Sequence, residues 1–292
     1  MAETRESLAR AWSQIVAEPD VLALIDLAWR EDIGSGDRTT RALFATPRSV
    51  QAAVVSRTET VACGSPLAAQ LVQRVDPSAR LSVLVDEGDL IAAGAVWLRV
   101  TADVGSLLTV ERMLLNFLMR LCGIAAGVRR AAGLIPKDTR ARLYDTRKTI
   151  PGWRRLDKLA VRVGGGCNHR MGLYDGVLIK DNHIATAGSI AQAVARARAQ
   201  NPGVPIEVEV DRLDQITEVL PERPDIILLD NFNDEQLAEA VRFVAGRAVL
   251  EASGGIRPER IASVARTGVD RISAGFLTHG VTPADLSLEV PA

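Results

Sequence analysis

The chain has 292 residues, 47% of them hydrophobic, and a formal net charge of -1 at pH 7. That length suits two domains and buries a core without disulfides or a structural metal, and the balanced charge gives the whole molecule no electrostatic reason to seek nucleic acid or an anionic membrane. Three scattered cysteines, Cys63, Cys122 and Cys167, do not make a disulfide framework or a zinc knuckle and fit a reducing, cytoplasmic setting.

In chain order, the segment from Met1 to Asp20 carries Glu3, Glu6 and Glu18 and lacks the apolar run of a signal peptide. No stretch reaches the roughly 18 apolar residues of a membrane span. Residues 20–30 have helical spacing, and EDIGSGDRTT after them reads as a polar loop. Strands are expected near 50–57, 81–88 and 96–102, with PLAAQLVQRV helical between the first two. A long helix starts near Ser106, with Leu107, Val110, Met113, Leu114, Phe117, Leu118 and Leu121 on its apolar side. Arg112, Asn116 and Arg120, four apart, make a polar stripe.

From about residue 138 the pattern becomes strand, loop, helix. The expected strands are RLYDT (142–146), GVLIK (176–180), IEVEV (206–210), DIILLD (225–230), AVLEAS (248–253) and RISAG (271–275). Amphipathic helices SIAQAVARARAQ, DEQLAEAVRFVAG and PERIASVARTG lie between the later ones, the last two bounded by Asn233, Pro258, Gly246 and Gly268. Apolar strands of this kind imply a parallel sheet buried on both faces, and six are short of the eight of a complete α/β barrel.

Ligands of parallel α/β folds bind beyond the C-terminal strand ends. Here the early strands lead to Arg147, Lys148 and Lys180, the later ones to Glu207, Glu209, Asp230, Asn231, Ser253, Gly254, Gly255 and Gly275. One half of the mouth is thus basic and suits a small dianion, while the other is acidic and suits a metal-bound polyphosphate. Gly164-Gly165-Gly166 lets backbone approach a ligand, and the His169 and Arg170 that follow add donors to the basic half. A lone Arg or Lys of this set reads equally well as a surface charge; five beside three glycines do not. Glu209 and Asp230 are candidate magnesium carboxylates, and Glu207, on the same strand face as Glu209, competes for that role. The Ser253-Gly254-Gly255 turn offers N–H groups to a phosphate, although a plain turn would look the same. The four lysines, Lys137, Lys148, Lys158 and Lys180, cluster in mid-chain, whereas Arg serves elsewhere. Zinc-hydrolase spacing, a dinucleotide fingerprint, a P-loop and a nucleophile elbow are all lacking.

The segments EDIGSGDRTT, ERMLLNFLMRLCGIA, DTRKTIPGWRRLDKLAV, GGGCNHRMGLYDGVLIKDNHI, EVEVD, LLDN, EASGGI and GVDRISAGFLTH together resemble the quinolinate phosphoribosyltransferases, over most of residues 31–279. The resemblance implies an incomplete, six- to seven-stranded α/β barrel with an N-terminal α/β sandwich domain. The sandwich is expected over 1–115, the barrel over 116–276, and the tail 277–292 returns to the sandwich. It implies phosphoribosyl transfer from phosphoribosyl pyrophosphate to quinolinate with decarboxylation, in NAD synthesis. It also implies a magnesium ion and a homodimer in which the sandwich of one subunit covers the barrel mouth of the other. Carried over residue by residue, quinolinate falls to Thr146, Arg147, His169, Arg170 and Lys180, with Arg112 from the partner. Phosphoribosyl pyrophosphate and magnesium fall to Lys148, Glu209, Asp230, Asn231, Ser253, Gly254, Gly255 and Gly275. Ile150, Cys167, Arg271 and Phe276 depart from the family's usual residues and bear on pocket packing. A molybdenum-transport-associated paralogue and a catalytically inactive assembly partner are the alternatives; Lys180 speaks against the first and the intact charged set against the second.

Overall fold

The computed structural model describes residues 4–290. Its elements in chain order begin with α1 (Arg5–Ile15), α2 (Pro19–Asp32), α3 (Arg38–Leu43), β1 (Ser49–Ser56), β2 (Thr60–Val61), α4 (Ser65–Val75), β3 (Arg80–Val83) and β4 (Leu90–Ile91). Then come β5 (Val96–Asp103), α5 (Val104–Ala132), β6 (Arg142–Tyr144), α6 (Arg154–Val163), β7 (Val177–Ile179), α7 (Asp181–Ala187), α8 (Ile190–Gln200) and β8 (Ile206–Val210). The chain closes with α9 (Leu213–Val219), β9 (Ile226–Asp230), α10 (Asp234–Val244), β10 (Val249–Ser253), α11 (Ile261–Arg266), β11 (Arg271–Ser273), α12 (Phe276–His279) and β12 (Leu286–Glu289).

Two compact units emerge: Met1–Arg129 with Thr149–Gly165 and Gly280–Ala292, and Arg130–Lys148 with Gly166–His279. In the first, β12, β1, β5 and β3 form an antiparallel sheet in that order. β5 alternates in part between buried and half-exposed residues, and Trp97, Leu98 and Val100 are fully enclosed. The helices supply the other layer of an α/β sandwich, and α5 alone buries Leu107, Val110, Leu114, Leu118 and Leu121 completely. The loop expected over 31–40 is shorter than its composition suggests. Its first two residues finish α2, and α3 forms because the Asp37 side chain accepts the Thr40 N–H at 3.0 Å.

The units also differ from a division at residues 115 and 116. That position lies inside α5, which is one continuous helix. α6 belongs to the first unit because its buried Asp157 carboxylate takes two hydrogen bonds from the Arg120 guanidinium of α5, at 2.9 and 2.7 Å. The returning tail is part of this unit from Gly280 onward: Ala284 N–H reaches Met119 O at 2.8 Å and β12 pairs with β1. Residues 291–292, the end of that tail, lie outside the described residues, as do 1–3.

The second unit is a six-stranded parallel sheet in the order β6-β11-β10-β9-β8-β7, six of the eight strands of a closed α/β barrel. β8, β9 and β10 are in direct register, Glu209 beside Leu228 and Leu228 beside Glu251. Val208, Ile227, Leu229, Leu250 and Ile272 are almost fully buried. The intervening helices start where the sequence punctuates them: Ser189 caps α8, and Asn233 and Gln236 cap each other's backbone at the start of α10. Among the described residues no helix is long and apolar enough to cross a membrane.

Candidate active site

Parallel strands deliver their C-terminal ends to one rim, and of the charged residues expected there Arg112 lies in the first unit, exposed on α5. Thr146, Arg147 and Lys148 follow β6. Lys148 is held by its main chain: its N–H reaches Thr146 Oγ1 at 3.0 Å and its carbonyl accepts from Thr278 Oγ1 at 2.7 Å. Its aliphatic stem crosses Gly275 so closely that a Cβ there would stand 3.0 Å from Lys148 Cδ. Gly275 is thus explained by a lysine before any ligand is invoked.

At the ends of β9 and β10, Asn231 adopts φ +61° and donates its N–H to Ser253 O at 2.9 Å. Its side chain donates to Asp230 Oδ2 at 2.7 Å. Gly254 has φ +84°, and a Cβ on it would fall 2.3 Å from Asn231 Oδ1. Only glycine fits there. The turn therefore locks the Asp230–Asn231 corner and leaves exposed Gly255, also at positive φ, on the rim.

The charged groups converge, but not as two separate halves. Lys180, just after β7, places its ammonium on Glu209 of β8. Asp230 is pushed up from the ordinary carboxylate range, first by burial and then by the Glu209 charge, while Lys180 and Lys148 pull it back. Arg170 is lowered, first by burial and then by the neighbouring charge of Arg147, with Glu207 and Glu209 opposing. Cations and carboxylates thus interleave. Mutual repulsion of Glu209 and Asp230 is the condition a divalent cation relieves, so this donor pair fits magnesium with substrate oxygens completing its shell.

Below the rim lies a cluster that strand periodicity did not single out. His169 Nε2 points between Glu207 Oε2 at 3.1 Å and Glu251 Oε1 at 3.3 Å. Ser273 Oγ donates to the same Glu251 oxygen, and Arg271 approaches the other at 3.6 Å while lying over the Tyr144 ring. Arg271 therefore does more than alter packing: it brings a cation to a fully buried acid. Burial, the largest single influence on His169, lowers its proton affinity, but the two carboxylates outweigh it and raise the pKa to about 9. Burial likewise raises Glu207. Nδ1 meanwhile accepts the Arg170 N–H at 2.8 Å, which favours the Nε2–H tautomer. The cluster as a unit holds its protons more tightly than the free groups do. Ligand atoms of His169, Glu207 and Glu251 lie within 4.8 Å of one another, yet the imidazole N–H already occupies the place a cation would take.

His169 thus turns both nitrogens to protein, whereas a pocket donor was expected of it. Glu207 faces His169 and Glu209 faces Lys180, a separation that spacing could not make. Glu251 and Asp145 were missed; the available signal was an acid inside an otherwise apolar strand, or just past one. Two of the three glycines are structural. Gly164 ends α6, where a Cβ would lie 2.5 Å from Ala125 O, and Gly165 turns at φ +92°. Both belong to the first unit, and the close backbone approach of Gly164 is to α5, whereas Gly165 is needed for its positive φ.

The N-terminal domain model of quinolinate phosphoribosyl transferase matches residues 37–122 and the C-terminal domain model matches 124–289. The chain is 38% identical over 268 residues to the probable nicotinate-nucleotide pyrophosphorylase [carboxylating] of Bacillus subtilis, covering 91% of this chain and 92% of that protein. It is 41% identical over 269 residues to the Mycobacterium leprae nicotinate-nucleotide pyrophosphorylase [carboxylating], covering 90% and 94%. The solved nicotinate-nucleotide pyrophosphorylase of Francisella tularensis superposes with a TM-score of 0.90 at 38% identity, over 95% of this chain and 99% of that one. Both matched domains, and relatives that it spans nearly end to end, make this chain a member of the quinolinate phosphoribosyl transferase family.

Proposed function

We propose that this protein is a carboxylating nicotinate-nucleotide pyrophosphorylase: it transfers the phosphoribosyl group of phosphoribosyl pyrophosphate to quinolinate and releases pyrophosphate and carbon dioxide. The observation that carries the reading is the convergence of Arg147, Lys148, Arg170 and Lys180 with Glu209 and Asp230 at the C-terminal rim of one parallel sheet.

In the reaction the bond from the anomeric carbon to pyrophosphate breaks, its electron pair leaves with pyrophosphate, and the pyridine nitrogen supplies the pair for the new bond. The adjacent carboxylate then departs as carbon dioxide; its bonding pair stays on the ring, held by the cationic nitrogen, and takes up a proton. No step needs a covalent nucleophile, so the protein's work is positioning and charge. Arg147 and Arg170 face the two carboxylates of quinolinate, with Thr146 and His169 behind them. Lys180 exchanges its partner Glu209 for substrate. Lys148, anchored through its main chain, offsets the charge of the departing pyrophosphate. Ser253, Gly254, Gly255, Asn231 and Gly275 shape the phosphate side. Glu209 and Asp230 would hold magnesium, which supplies Lewis-acid stabilisation of the leaving charge.

The assembly is a homodimer in which Arg112 of one subunit serves the mouth of the other; its exposure, with Asn116, on the polar stripe of α5 supports this. A cytoplasmic setting agrees with three cysteines that are all unpaired. Incubation of the folded protein with quinolinate, phosphoribosyl pyrophosphate and magnesium is expected to yield nicotinate mononucleotide and one carbon dioxide per turnover. Folded protein that makes neither would overturn the assignment.

A further inference from the structure

Asp145 immediately follows β6 and is fully buried. One carboxylate oxygen accepts the His169 N–H at 2.8 Å and the other accepts Asn168 Nδ2 at 2.6 Å. Its own N–H reaches Cys167 O at 3.0 Å, and Cys167 N–H reaches Leu143 O at 2.7 Å. The segment after the glycines is thereby laid along the edge of β6 as a short parallel bridge between Tyr144 and Cys167. Arg147 is two residues beyond Asp145 in one segment, and Arg170 is one residue beyond His169 in the other. The same carboxylate is thus covalently tied to one guanidinium-bearing loop and hydrogen-bonded to the other.

Holding these guanidiniums near one another is costly: Arg170 is lowered first by burial and then by the charge of Arg147. Loops alone would splay. A carboxylate suits this position because it only accepts, and so takes two donors at once through short charge-assisted bonds. Asparagine would offer one acceptor oxygen.

We propose that Asp145 is the positioning residue of the dicarboxylate clamp: its buried carboxylate pins Asn168 and His169 to the end of β6 and so sets the separation of Arg147 and Arg170. This rests on the reading that quinolinate is the ligand of those two arginines.

The test is steady-state kinetics on wild type, Asp145→Ala, Asn168→Asp and the exchanged pair Asp145→Asn with Asn168→Asp, with folding checked by circular dichroism. Asp145→Ala is expected to raise the KM for quinolinate about tenfold or more, while the KM for phosphoribosyl pyrophosphate stays within about twofold. Asn168→Asp sets a second carboxylate against the buried Asp145 and should show the same selective loss. The exchanged pair restores donor to acceptor and should return the quinolinate KM to within about threefold of wild type. An unselective role in stability would shift both KM values together. Wild type without turnover would sink the functional reading itself. Active wild type alongside a folded Asp145→Ala with unchanged quinolinate KM, or with both KM values raised equally, would sink only this inference. Should Asp145→Ala fail to fold, the exchanged pair decides, and no recovery over Asn168→Asp counts against the proposal.

Discussion

Both nitrogens of His169 are engaged by protein, Nε2 with Glu207 and Glu251 and Nδ1 with the Arg170 N–H, and this has a consequence for stability. In an unfolded chain this histidine releases its proton near 6.5; in the folded protein Glu207 and Glu251 hold that proton up to about 9, at the expense of the Nδ1 contact, because a doubly protonated ring no longer accepts the Arg170 N–H. A raised folded value means that the contribution is complete below pH 6.5 and is lost as pH climbs through 9. Urea unfolding should therefore show stability declining over that window by up to about 1.4 kcal/mol per pH unit for the one proton, less in Glu251→Gln. A flat wild-type profile would refute the coupling. Arg170, which also donates to Gly176 O at 3.1 Å, is the other residue on which much depends. Replacing it by alanine should weaken quinolinate binding by roughly 2–5 kcal/mol in calorimetry, as loss of one partner of a close charge pair does. Unchanged affinity would remove it from the clamp.

Elements whose ends carry a chemical signal were legible along the chain. α10 begins at the Asn233 cap and ends before Gly246; β8 occupies the five residues its composition marks. α3, α7 and α9 were not, because six or seven residues leave too few turns for periodicity unless, as Pro258 does ahead of the equally short α11, a residue marks the start. In α7 the cap is His183, whose Nδ1 accepts the Lys180 N–H at 3.0 Å, a use no motif announces. Gly123, on the long helix, is the glycine whose reason appears only in three dimensions. A Cβ there would sit 2.4 Å from Thr282 O and 3.0 Å from Pro283 Cα, so the returning tail packs on bare helix backbone. Gly123→Ala should cost about 1–3 kcal/mol through overpacking, read as a lower urea midpoint. An unshifted midpoint would mean that the tail gives way freely.

At the scale of the molecule, a site that draws Arg112 from a second subunit predicts complementation. Arg112→Ala and Lys180→Ala homodimers should each be inactive, and mixing them should restore about a quarter of wild-type activity when subunits exchange at random and one intact site suffices per hybrid. Proven exchange without recovery would place Arg112 outside the site. The six strands, their order along the chain, the family and the kinds of residue at the strand ends could be read without coordinates, because alternation, capping and turn chemistry act over a few neighbouring residues. Partnership could not. Glu207 and Glu209 share a strand face by periodicity, yet one meets His169 and the other Lys180. Asp145 and Glu251 became visible only as groups fully enclosed and bonded across strands. Which acid meets which cation depends on the curvature and register of non-adjacent strands and on burial that raises the energy of any unmatched charge, and those exist only once the sheet has formed.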